Sequence, residues 1–326
     1  MKRAGTLAVN LLLAGLSLAV CVVLAEQLLR AIGYERNPLK IQLGEVADAR
    51  LYHVFEDRNF VYDPDLIWRP KRDYGVFNAQ GYRGPEVPDV KPEGTWRIFA
   101  IGDSNTLGWG GAGGANWPET LHNLLRQRDP RFSVVNAGVY GYTSQQGLIR
   151  FRRSLIHRPD LALISFGSND AQPVTVSDRD FIAKSLGRSG WTARLARFRL
   201  GQLFAAAWTS FVSWRSGGLT ARVPLEDYRS NLNEIVRLAR EQGIAVVLLT
   251  RPYVSRMRSI VRWKTIAHHY NAVTAEVAEQ QDVSLVDLYS HFKGREGLFA
   301  DESHFTGEGH RRAAEIVLEA LEPLLR

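Results

Sequence analysis

The chain of 326 residues is 45% hydrophobic and 23% charged, an ordinary globular balance with enough length to bury a full core in one large domain plus additions. Its formal charge of +7 suits a domain beside an anionic membrane surface or an acidic polymer, yet charge alone names no ligand. A single cysteine, Cys21, excludes an intramolecular disulfide, so the fold must rest on core packing.

The first element is apolar. From Leu7 to Ala25 run 19 residues broken only by Asn10, Gly15 and Ser17, and Met1-Lys2-Arg3 precede them. At about 1.5 Å per residue, a helix of that length nearly matches a hydrocarbon core of about 30 Å. Residues 1–29 therefore read as a retained membrane anchor. Lys2 and Arg3 keep the N-terminus in the cytoplasm, which puts everything after Glu26 outside, in the periplasm or the extracellular space. A cleaved secretory leader is the competing reading, but its apolar region is usually about 7 to 15 residues long, and no convincing Ala-x-Ala-like site ends this one. Lipidation of Cys21 fits less well, because Val20 is a poor residue before a lipid-modified cysteine. For an exported chain whose basic residues are spread out, nucleic acid is a poor partner.

Residues 30–95 are rich in Pro, Gly and aromatics, as in "YDPDLIWRPKRDYG" and "NAQGYRGPEVP". They read as turns and short extended pieces that link the anchor to the main domain and pack on it. From residue 96 to 326 the pattern changes to short apolar runs, "RIFAI", "FSVVNAG", "LALISFG", "IAVVLLT" and "VSLVDLY". Between and after them lie amphipathic segments expected to be helical, at Trp117–Arg128, Ser144–His157, Glu226–Gln242, Arg262–Gln281 and Gly307–Leu325. Five strands without clean alternation, separated by helices, imply an α/β fold: a five-stranded parallel sheet covered on both faces, in three α/β/α layers. Residues 172–225 interrupt the rhythm with "WTARLARFRLGQLFAAAWTSFVSW", apolar and basic together. The plain reading is a helical insertion packed on the core; a membrane-facing or substrate-cap role is the other.

Ligands of open parallel sheets gather at the carboxyl ends of the strands. There the sequence places Gly102-Asp103-Ser104, Asn136-Ala137-Gly138, Gly167-Ser168-Asn169-Asp170 and, after the fifth strand, "DESHFTGEGH" with Asp301 and His304 three apart. Acyl transfer by serine needs a hydroxyl, a base to take its proton, a group to orient that base, and donors facing the oxyanion. Ser104 can supply the hydroxyl, His304 the base and Asp301 the orienting carboxylate. The backbone N–H groups of Ser104 and Gly138 and the Asn169 side-chain amide are the expected oxyanion donors. Each residue also has an ordinary reading: Gly-Asp-Ser is turn-forming, Gly138 can be a turn glycine, Asn169-Asp170 can cap a helix, and Asp301 with His304 can be a surface pair. His268, His269 and His310 read as solvent-facing or structural.

In order and spacing these four clusters resemble the blocks of the SGNH (GDSL-like) hydrolase family over residues 96–326. "YDPDLIWRP" and "NAQGYRGPE" also look like the lead-in of its membrane-anchored bacterial members. The resemblance implies a flavodoxin-like sheet, Ser104 as nucleophile, Asp301 and His304 completing a triad, and Ser104, Gly138 and Asn169 as the oxyanion hole, without metal or organic cofactor. It implies a serine esterase acting on acyl groups, with acetyl groups of an envelope or extracellular glycan expected, or another small ester. A glycan O-acyltransferase and a non-catalytic glycan-binding or assembly protein share the fold and stay open as alternatives. Two positions depart from the pattern: Asn105 stands where the older family name expects Leu, and Phe305 follows His304 where Pro is frequent. The second puts the angle of His304 in question.

Three other patterns lead nowhere. Gly108-Trp109-Gly110-Gly111-Ala112-Gly113 fits G-x-G-x-x-G, but it starts several residues after the strand, and the second strand ends in Asn136 where a ribose-binding acid is wanted. These glycines read better as a rim of the site, with Trp109 lining it. Neither G-x-S-x-G nor H-E-x-x-H occurs.

Overall fold

The computed structural model describes residues 2–34, 59–174, 176–186, 198–204, 207, 211, 220–254 and 263–325. The first helix, α1 (Lys2–Ala31), outruns the apolar stretch by continuing through Glu26 to Ala31. Among the described residues it is the one helix long and apolar enough to cross a membrane, over Leu12–Ala31. A hairpin follows, β1 (Phe60–Asp63) antiparallel to β2 (Ile67–Pro70).

The main sheet is built from β3 (Trp96–Gly102), β4 (Phe132–Asn136), β5 (Leu161–Ser165), β8 (Ala245–Leu249) and β9 (Ser284–Val286), all parallel, in the order β4-β3-β5-β8-β9. The five-stranded doubly wound sheet expected from the apolar runs is therefore present. Its helices are α3 (Trp117–Arg128), α4 (Ser144–Ser154), α6 (Leu225–Glu241), α7 (Trp263–Gln280) and α9 (Gly307–Leu321), with the short α8 (Leu288–Phe292) after β9. Strand side chains alternate between the two faces. Ile98, Ala100, Leu161 and Leu163 pack with Leu121 and Leu125 of α3 and Ala313 and Val317 of α9. Phe99, Ile101, Ala162 and Ile164 pack with Phe151 of α4, Ile235 of α6 and Val277 of α7. Both faces are apolar, which is why the runs show no alternation in sequence.

Local chemistry sets the helix starts. Asn116 caps α3 by accepting from the Glu119 amide at 2.9 Å, with Pro118 in the first turn. Thr143 and Gln146 form a capping box on α4, and Thr306 caps α9. Inside the 172–225 segment lie α5 (Asp178–Leu186) and an antiparallel pair, β6 (Pro173–Val174) with β7 (Thr220–Ala221), which clips its two ends together.

The chain leaves β3 toward β4 on one side and returns to β5 on the other. The carboxyl end of β3 is thus the point where the winding reverses, which in such sheets leaves a crevice above the strand ends. Ser104 follows directly.

Candidate active site

Beyond β3 the chain turns into a single helical turn, α2 (Ser104–Leu107), whose cap is Asp103: its Oδ1 accepts from the Asn105 amide at 2.9 Å. The cap carboxylate is itself buried, and its Oδ2 meets Arg251 Nε at 2.8 Å. This places Ser104 at the first helical position with its side chain turned toward the loop before α9. Ser104 and His304 are both 4% exposed, and Ser104 Oγ lies 2.8 Å from His304 Nε2 across 200 residues of sequence.

The Asp301–His304 loop is held by one carboxylate. Asp301 Oδ2 lies 2.6 Å from His304 Nδ1, while Oδ1 accepts from the backbone amides of Ser303 at 2.8 Å and His304 at 2.9 Å. Partial burial pushes the Asp301 pKa up, but the hydrogen bond and charge of His304, with those two amides, outweigh it and hold the carboxyl well below the usual range. An ionised Asp301 keeps Nδ1 protonated and leaves Nε2 as the acceptor facing the Ser104 hydroxyl.

Asn169 lies half-buried in the turn after β5. Its Oδ1 accepts from Gln172 Nε2 at 3.1 Å and its Nδ2 donates one hydrogen to the Tyr142 carbonyl at 2.9 Å, which fixes the amide orientation and leaves the second Nδ2 hydrogen for a ligand. Asp170 is spent on structure: its carboxylate accepts from the amides of Ser144 at 2.8 Å and Gly167 at 3.0 Å, tying this turn to the start of α4.

Gly138 does not take the place expected of it. Its amide donates to Asn136 Oδ1 at 3.0 Å and so is already engaged. A glycine is needed there because a Cβ would collide with the backbone of Thr106 and Leu107 in α2. The better donor is Gly141, three residues on, which sequence reasoning missed. It sits at φ +73, a left-handed conformation that favours glycine, and its amide has no hydrogen bond among the described residues. Its carbonyl is held by Arg222 Nη1 at 2.8 Å, and the neighbouring Tyr142 carbonyl is the one that receives Asn169. The available signal was the second glycine of "NAGVYGYTS", but no spacing rule says which of two glycines has a free amide.

The two departures from the family pattern meet in space. Asn105 Nδ2 donates to the Ser303 carbonyl at 3.0 Å, and the Phe305 amide donates to Asn105 Oδ1 at 3.1 Å. His304 is thereby gripped on both flanks by the residue that follows Ser104. The Phe305 ring fills the core against Phe292 and His310.

On the exposed side, Tyr140 lies parallel to the His304 ring at 6.4 Å between centroids, and Trp109 lies 6.5 Å from it and 4.8 Å from Tyr140. Trp109 is 48% exposed. Behind this pair a cavity of about 200 Å³ is lined by Phe60, Val76, Phe77 and Arg83 of the lead-in, together with Trp109 and Tyr140. His310 is buried, and that burial pushes its pKa down to about 4. His268 and His269 are exposed on α7. Among the described residues no group of three or more His, Cys, Asp or Glu side chains is placed to hold a metal ion.

Comparison with known proteins identifies a family. Residues 100–312 match the model of the GDSL-like lipase/acylhydrolase family. The chain is 23% identical over 229 residues to the uncharacterized lipoprotein YqeF of Bacillus subtilis, covering 61% of this chain and 73% of that one. It is 38% identical over 74 residues to thioesterase 1/protease 1/lysophospholipase L1 of Escherichia coli, spanning 22% of this chain and about a third (34%) of that relative. Among solved structures it is similar to the lipase/acylhydrolase from Enterococcus faecalis, with a TM-score of 0.49 and 22% identity over 71% of this chain and 97% of that one. The family match runs from β3 into α9 and takes in Ser104, Asn169 and the Asp301–His304 loop: the chain belongs to the GDSL-like lipase/acylhydrolase family.

Proposed function

We propose that the protein is a serine esterase that removes acyl groups, acetyl foremost, from an extracytoplasmic glycan. The observation that carries this reading is the relay Ser104 Oγ to His304 Nε2 at 2.8 Å and His304 Nδ1 to Asp301 at 2.6 Å. His304 takes the hydroxyl proton as Ser104 Oγ attacks the ester carbonyl, and Asp301 steadies the imidazolium that forms. The oxyanion is received by the Ser104 and Gly141 amides and by the free hydrogen of Asn169 Nδ2. His304 then gives its proton to the leaving alcohol, and water repeats the sequence on the acyl-enzyme to release the acid.

The His304 side of the site must hold the alcohol, since the base has to reach the leaving oxygen. Trp109 and Tyr140 flank that side, and the half-exposed Trp109 ring, backed by the buried Tyr140, suits the apolar face of a sugar. The thioesterase named among the relatives supports acyl chemistry. The apolar α1 helix, with Lys2 and Arg3 before its span, supports an anchored protein whose domain faces outward, and a lipoprotein relative agrees with an envelope location.

The test is labelling of the full chain with a fluorophosphonate, followed by peptide mapping, with Ser104→Ala beside it. The expected adduct is on Ser104 and is lost in the variant together with hydrolysis of acetylated sugar. Undiminished hydrolysis by Ser104→Ala overturns the assignment.

A further inference from the structure

The insertion carries an apolar face beside the end of α1. Residues 199–204, Ala207 and Phe211 are helical. Leu203 and Phe204 adjoin, and Ala207 and Phe211 follow Leu203 at the four-residue sequence spacing characteristic of one apolar helix face. That face is turned outward: Phe204 is 72% exposed, and Phe198, Leu203 and Phe211 are exposed as well. The Phe211 ring is not isolated, but its exposure places it on the same surface.

What lies next to this face is fixed by Glu26 of α1. Its carboxylate accepts from the backbone amides of Arg199 at 3.1 Å and Leu200 at 2.9 Å, and from Arg30 at 2.8 Å. The first amides of the insertion helix are therefore held by the closing turns of α1. N-terminal to that junction α1 is apolar, with Leu16, Leu18 and Leu24 exposed. A helix of that kind is stable in hydrocarbon and not in water. Arg30 and Arg199 lie at the junction, and Arg194 and Arg197 precede it in sequence, outside the described residues. Apolar side chains on one face with arginines nearby are the composition of a helix lying in a bilayer interface, its apolar side about 5 to 10 Å deep.

We infer that the exposed apolar side chains Phe198, Leu203, Phe204 and Phe211 form a second membrane contact on the outer surface of the bilayer that α1 crosses, with Leu203, Phe204 and Phe211 at the acyl boundary and Arg30 and Arg199 among anionic headgroups. The inference rests on the reading of α1 as an anchor. Two contacts would remove the freedom of the domain to swing on one helix, and so would set its distance from the membrane.

The experiment uses the full chain in nanodiscs of phosphatidylcholine and phosphatidylglycerol, with Cys21→Ser as background and single nitroxide labels at Leu16→Cys, Phe204→Cys or Val90→Cys. Collision rates with oxygen and with a water-soluble nickel chelate are compared, and each labelled protein is checked for retained ester hydrolysis. The expected result is a several-fold preference for oxygen at positions 16 and 204, and for nickel at the exposed position 90. Nickel preference at 204 with oxygen preference at 16 overturns the second contact and leaves the anchor intact. Shielding of 204 from both reagents overturns it in favour of a lid or a self-contact. Nickel preference at 16 overturns the anchor and the inference together.

Discussion

Asn105 and Phe305 are joined by a hydrogen bond from the Phe305 amide to Asn105 Oδ1 at 3.1 Å. Through the Ser303 carbonyl, which Asn105 Nδ2 reaches at 3.0 Å, the same side chain holds the other flank of His304. The amide adjacent to Ser104 therefore helps set the distance between the hydroxyl and the imidazole, together with Asp301 and the Arg251 donor to the Ser303 carbonyl. Proline, frequent at the Phe305 position in the family, has no N–H and would leave Oδ1 buried without a donor.

This makes the two positions interdependent. Phe305→Pro is expected to lose about 1–3 kcal/mol of stability for the orphaned acceptor, in addition to the packing lost with the ring. In an Asn105→Leu background the acceptor is gone, so the same change should cost less, the lost ring being common to both backgrounds. A thermodynamic cycle of the four proteins measures the coupling; additive effects would show that Asn105 does not hold the loop.

Asn169 and Gly138 should separate chemistry from folding. Asn169→Ala removes a donor from the crevice and is expected to lower turnover about 10²- to 10³-fold, with a loss of melting temperature no larger than its two missing hydrogen bonds, to Tyr142 and from Gln172, entail. Gly138→Ala drives a methyl into the backbone of α2, so its effect is expected first in the melting temperature. A variant of Gly138 that melts normally and loses only turnover would return the donor role to that amide.

Asp301→Asn tests the orientation of the imidazole. The Asn oxygen can still accept from the Ser303 and His304 amides, which keeps the loop, but its NH₂ then faces His304 Nδ1 and selects the wrong tautomer. Turnover is expected to fall about 10⁴-fold while KM for a short acyl ester stays within a few-fold. Retained turnover would mean that Asp301 only shapes the loop.

His310 gives the fold a pH dependence of definite sign. In the unfolded chain it takes up a proton near pH 6.5; in the fold, burial delays this to about pH 4, the nearby Arg83, Arg251 and His304 acting the same way and the Trp109 backbone opposing. As pH falls from 6.5 to 4 the unfolded state binds more protons, so stability is lost over that window, by about 3 kcal/mol in total. Above pH 6.5 the contribution is present in full. In urea melts across this range, the stability of wild type relative to His310→Phe should fall by about 3 kcal/mol as the pH drops. A constant difference would mean that His310 titrates normally.

Much of this architecture was legible in the residues. The five apolar runs lack alternation because both sheet faces are covered, and that absence identified the parallel sheet. Ser104 and the Asp301–His304 pair stood out because each belongs to a short local pattern that the fold needs only to bring together. Contacts made across the chain left no such trace. Whether Gly138 or Gly141 offers an amide depends on the Asn136 side chain folding back on Gly138, which no spacing encodes. Arg222 closes the segment read as an insertion, yet it is fully buried, pairing with Asp178 and holding the Gly141 carbonyl. Its sequence neighbours give no sign of this.

Arg251 is another such contact, and its removal should be informative. The Arg251–Asp103 pair is almost fully enclosed, at 3% and 1% side-chain exposure, and Nη1 also donates to the Ser303 carbonyl at 2.8 Å. Breaking a buried pair leaves an uncompensated charge, so Arg251→Met is expected to lower unfolding stability by about 3–5 kcal/mol. Adding Asp103→Asn removes that charge while keeping an oxygen to cap the Asn105 amide. The double variant should therefore recover much of the loss, and should keep Ser104 near His304, since Asn105 still grips the Ser303 carbonyl. Urea melts with a parallel assay of ester hydrolysis decide the matter: a double variant no more stable than Arg251→Met would show that Arg251 acts through its bonds to the Ser303 and Pro252 carbonyls and not through the buried charge.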